Sequence, residues 1–89
     1  MSSIRDLKKD INYVLGDIIE AVYISEAVSN KKGSEEGSVI IDEAIDVFDD
    51  LMNKVNQKEI ENKKAHFKTI RKELEEKANK LIEKVNKLD

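Results

Sequence analysis

Residues 4–28 read IRDLKKDINYVLGDIIEAVYISEAV, and the fold of the chain turns on them. Apolar side chains recur at alternating three- and four-residue steps, at Ile4, Leu7, Ile11, Val14 and Ile18, which sets them on one side of an α-helix. Leu15, Ile19, Val22 and Tyr23 widen this arc to roughly 220°, at about 100° per residue. One face of a three-helix bundle cannot bury so wide an arc. The segment is therefore expected to be the central helix of a bundle or the contact of an oligomer.

Two further stripes follow, each out of phase with the last. Ile41, Ala44, Phe48, Leu51 and Val55 form the second, and Ile60, Phe67, Leu74, Leu81 and Leu88 recur every seven residues in the third. The step from Val55 to Ile60 breaks the three-four rhythm, because a continuing helix would place Lys58 and Asn62 on the apolar side. Asn56 and Glu59 also have the spacing of an N-cap with a reciprocating acid, which predicts a tight turn near Asn56 and Gln57. The alternative, one helix from Ser34 to Leu88, would favour an intertwined dimer. Elsewhere Ser3 and Asp6 suggest the first cap. Ser29, Asn30, Lys31, Lys32 and Gly33 form a breaker cluster, and Ser34 caps the second helix ahead of Glu35 and Glu36. The expectation is a single domain over residues 1–89, an all-α, three-helix antiparallel bundle with helices near 4–28, 34–55 and 57–88. Its C-terminal helix is long, and dimerisation completes the core.

Composition agrees with long helices. There is no proline and only three glycines, while 39% of residues are charged and 39% hydrophobic, a modest apolar payload for 89 residues. The absence of cysteine excludes disulfides and thiolate metal sites and suits a cytoplasmic location. No segment has the roughly 18 unbroken apolar residues of a membrane span, and the N-terminus lacks the basic-then-apolar run of a signal peptide. Charge is divided along the chain. Residues 34–56 hold seven acids against one lysine, and residues 57–89 hold ten bases against seven acids, so the second and third helices attract each other.

Chemistry is harder to find than architecture. Asp17 and Glu20, with Asp42, Glu43, Asp46, Asp49 and Asp50, offer helical carboxylate pairs of the kind that hold Mg²⁺ or Mn²⁺. Most of the second helix's acids point about 100° or more from Phe48 at 100° per residue, so a solvated face is the better reading. His66 has no ligand-type neighbour at helical spacing, which excludes a di-iron carboxylate site and leaves it as a flanking surface residue. No serine lies in a nucleophile elbow, and Gly33 and Gly37 flank glutamates that repel phosphate. The third helix carries Lys63, Lys64, Lys68, Arg71, Lys72, Lys77 and Lys80, but its glutamates and the net charge of −3 dilute any nucleic-acid footprint.

The pairs Asp17–Glu20 and Glu43–Asp46 resemble the acid pairs of all-α nucleotide pyrophosphohydrolases; the denser Glu repeats and the Lys, Arg and Asn set of that family have no counterpart here. Residues 8–23, KKDINYVLGDIIEAVY, resemble the opening of small uncharacterised bacterial helical proteins, a resemblance that brings no known activity.

The expected function is thus non-enzymatic, a protein–protein interaction or scaffold module that forms a helical homodimer, with no catalytic residues, cofactor or metal. Its partners are a second copy and another protein, not membrane or nucleic acid. The alternatives are an acid-cluster, metal-dependent nucleotide hydrolase and a weak nucleic-acid binder. Gly16, Ile19 and Tyr23 on the second flank of the first helix are the interface candidates, because mid-helix glycine costs about 1 kcal/mol and invites a compensating close approach. Leu81, Val85 and Leu88 join them, since the third helix is expected to outrun the second.

Overall fold

The computed structural model describes residues 3–28 and 35–88. They form three helices, α1 (Ser3–Val28), α2 (Glu35–Val55) and α3 (Lys63–Asn86). The cap expected at Ser3 concerns a side chain outside the described residues, as are the breaker cluster at 29–33 and the cap at Ser34.

Ion pairs across the bundle give the helix directions. Lys54 meets Glu73 and Lys84 meets Glu43, so α2 and α3 run antiparallel. Arg71 meets Asp10, and further along Val14 and Ala21 share the seam with Ile82 and Val85, so α1 and α3 run parallel. The path is up, down, up. The body measures 49 × 20 × 16 Å, and its short axes admit one layer of core side chains between helices roughly 10 Å thick.

That core contains Leu7, Ile11, Leu15, Ile18 and Val22 from α1, Ile40, Ala44, Leu51 and Val55 from α2, and Ile70, Leu74, Ala78, Leu81 and Leu88 around α3. On α1 the buried side is centred between the expected stripe and its extension. Leu15 and Val22 are buried, Val14 is half-buried, and Ile4 at the helix end is exposed. The reason is geometric: a helix with two neighbours buries the middle of its apolar arc, and the flanks meet one neighbour each. On α2 the same rotation buries Ile40 and leaves Ile41 and Phe48 half-buried.

The second joint begins where expected, after Val55 with a turn at Asn56, but it is longer than the expected tight turn. α3 starts at Lys63, not Gln57, and the N-cap is Asn62, whose Oδ1 accepts from the Ala65 backbone N–H at 3.1 Å. Ile60 belongs to the connection, not to the helix. Glu59, read as a reciprocating acid, instead takes a left-handed conformation with φ 59°, the position at which the chain turns without a glycine. α3 therefore has 24 residues, close to the 21 of α2 and fewer than the 26 of α1.

Candidate functional site

The joint itself is held by polar contacts. His66 is half-buried, and its Nε2 lies 2.6 Å from the backbone oxygen of Lys54. A carbonyl oxygen only accepts, so Nε2 carries the proton and donates. His66 thus satisfies a C-terminal carbonyl of α2 rather than standing as a surface residue. The Lys54 ammonium donates to both carboxylate oxygens of Glu73 at 2.8 and 2.6 Å, and also pairs with Asp50 at 3.1 Å. The hydrogen bond to Glu73, then that to Asp50, raises the Lys54 pKa above its ordinary 10.5. These groups join α2 to α3; their chemistry is structural.

The interface candidates separate into two sets. Gly16 is exposed, and a Cβ built there would meet no neighbouring atom within 4 Å. Tyr23 is 58% exposed, and Ile19 is half-buried against the core. At the other end, Leu81 and Leu88 are buried and Val85 packs on the same core. The expectation that α3 outruns α2 is corrected: with α3 starting later, Leu88 comes to rest beside Val39 and Ile40 in the first turns of α2.

Two surfaces flank α1. Toward α2, Ile19 and Tyr23 lie on the flank away from the Asp10–Arg71 pair, and α2 turns Ile41, Ile45, Phe48 and Met52 to the same side at about 100° per residue. Ile45 is exposed there, and the other three are half-buried. Toward α3 lies a groove that sequence reasoning missed. One open cavity of about 540 Å³ is lined by Tyr13, Val14, Leu74, Ala78 and Ile82 with Asp10 and Arg71 at its end. A second, of about 320 Å³, shares Val14 and Ile82 and continues along Ile18, Ala21 and Val85.

The acids do not converge. Asp42, Asp46, Asp49 and Asp50 are exposed, as are Asp17 and Glu20, and no group of three or more metal-ligand side chains occurs among the described residues. Glu43 is engaged by Lys84 at 2.6 Å. The lysines at 77, 80, 84 and 87 line a groove in company with Glu43, Asp46 and Glu83, so their charge is locally offset. No helix among the described residues is long and apolar enough to cross a membrane. Comparison with protein-family models, curated proteins and solved structures gives no match.

Proposed function

We propose that this chain is a non-catalytic interaction module that works by contact with polypeptides, the first of them a second copy of itself. The observation that supports this most directly is the apolar character of the α1–α2 side, where Tyr23 and Ile45 are exposed and Ile19 and Phe48 half-buried. A contiguous apolar patch on a small domain commonly marks a contact. A two-fold crossing of two α1 helices near Gly16 brings identical patches together, and the open space over Gly16 permits close approach. The same crossing turns exposed Lys9 of one copy toward exposed Glu20 of the other, a complementary arrangement. A cysteine-free chain suits the reducing cytoplasm, where we place it.

The test is mass in solution by light scattering from low to high micromolar concentration. A concentration-dependent dimer that Tyr23→Glu with Ile45→Glu dissolves supports the reading; both side chains are exposed, so the variant keeps its core. A monomer at several hundred micromolar refutes the dimer. An upward shift in melting temperature with Mg²⁺, Mn²⁺, nucleotides or oligonucleotides would overturn the non-catalytic reading in favour of a ligand that binds the folded state.

A further inference from the structure

From the groove between α1 and α3 we infer a second docking site, one that takes a basic amphipathic helix from a partner protein. The inference rests on the reading of the chain as a polypeptide-binding module, but not on its dimer, because the groove lies on the opposite flank of α1.

Its shape comes from side-chain size. Ala21 and Ala78 leave a depression between the helices where larger residues would fill the seam. Val14 and Ile82 are common to both cavities, so the two adjoin along the seam, and their linings together run from Asp10 to Ala21 on α1, about 17 Å or three helical turns at 1.5 Å per residue. Ile82 rises along it with 45% of its surface exposed. Beyond Ala21 the exposed Ile24 and Val28 continue the apolar line on the same flank of α1. A helix laid in such a groove inserts apolar side chains at three- and four-residue spacing.

Charge selects the occupant. Among the described residues that line the two cavities Arg71 is the one cation, and Asp10 holds it at 2.7 Å. Asp17 and Glu75, also at the rim, make no ion pair among the described residues. The groove therefore presents an apolar floor between net negative edges, complementary to an apolar stripe flanked by Lys or Arg. A second copy fits poorly, since a two-fold contact here would set the same acids against each other. The chain's own basic helix is not available either, because Ile70, Leu74 and Leu81 of α3 are committed to the core.

The experiment uses the full chain labelled with ¹⁵N and two designed peptides of about 18 residues, which share a leucine stripe and carry either lysine or glutamate elsewhere. The lysine peptide should give saturable amide shifts centred on Val14, Ala21, Ala78 and Ile82, and the glutamate peptide should give none. Ile82→Asp should weaken the lysine peptide about tenfold or more. Asp17→Lys with Glu75→Lys, at exposed positions where folding is undisturbed, should weaken it and admit the glutamate peptide. Equal binding of both peptides, or lysine-peptide binding indifferent to Ile82→Asp, would overturn the inference. So would shifts confined to the Tyr23 and Ile45 side, an outcome that leaves the interaction-module reading standing. Shifts in the groove that grow with protein concentration alone would assign it to a second copy instead.

Discussion

Gly16→Ala should stabilise the protein, and the structure sets the size of the effect. Gly16 lies in the middle of α1, it is exposed, and an added Cβ meets nothing within 4 Å. The methyl group therefore costs no repacking, while the helix gains the glycine-to-alanine difference of about 0.8–1 kcal/mol. Part of that gain comes from the unfolded chain, which loses the extra freedom of glycine. With a urea m-value of about 1–1.5 kcal/mol/M for a domain of this size, the midpoint should rise by roughly 0.5–1 M with m unchanged. The assay is helicity at 222 nm against urea at low micromolar protein, where self-association makes little contribution. The same substitution fills the space at the proposed two-fold crossing, so light scattering at high concentration should show a weaker dimer. A lower midpoint at low concentration would refute the reasoning, because it would mean that the space above Gly16 is occupied within the single chain.

Glu59→Gly should raise stability by about 0.5–1 kcal/mol in the same urea assay, since a left-handed conformation costs a side-chain-bearing residue roughly 1–2 kcal/mol and glycine's larger unfolded-state entropy returns only part of it. His66→Ala should cost about 0.5–1.5 kcal/mol by removing the shorter of two hydrogen bonds to the Lys54 carbonyl, which keeps the Gln57 backbone N–H at 3.3 Å, with a lower urea midpoint as the readout. Lys54→Met should cost no more than about 1 kcal/mol, because the ion pairs are partly solvated. As the folded-state pKa of Lys54 is raised above 10.5, its contribution is fully present below that pH and disappears as pH rises through the higher folded value. The difference between the two proteins in urea midpoint should thus be flat from pH 7 to about pH 10 and narrow above it.

The three helices were legible because each apolar stripe has helical spacing and the stripes are out of phase. The joint between α2 and α3 was not, and the reason is local. Asn56 and Asn62 are both acceptable caps, and no glycine marks the turn. Asn62 serves because the chain turns at Glu59 and His66 then reaches back to the end of α2. Nothing in residue spacing reports a left-handed glutamate. A stripe also gives the side of a helix that is buried, but not how two neighbours divide it, which is why Leu15 and Ile40 belong to the core centre and Ile41 to its edge. The Tyr23 flank could be read from the width of the apolar arc on α1. The α1–α3 groove could not, since its two cavities, one lined by Ala78 and the other by Ala21, exist only where the parallel pairing brings those helices together.

An odd number of helices on an up-down-up path leaves the body electrically polar along its long axis. The amino ends of α1 and α3 share one end with the carboxyl end of α2. Each terminus is equivalent to about half a charge, so α2 cancels one of the other two and roughly half a positive charge remains at that end. Lys63 and Lys64 occupy the first turn of α3 there, with no acid in that turn to offset them, and they add to the local potential. Glu35 and Glu36 stand at the opposite end, in the first turn of α2. At low ionic strength the molecule should orient in an applied field and approach charged partners end-on, a bias that salt screens over about 10 Å at 0.1 M.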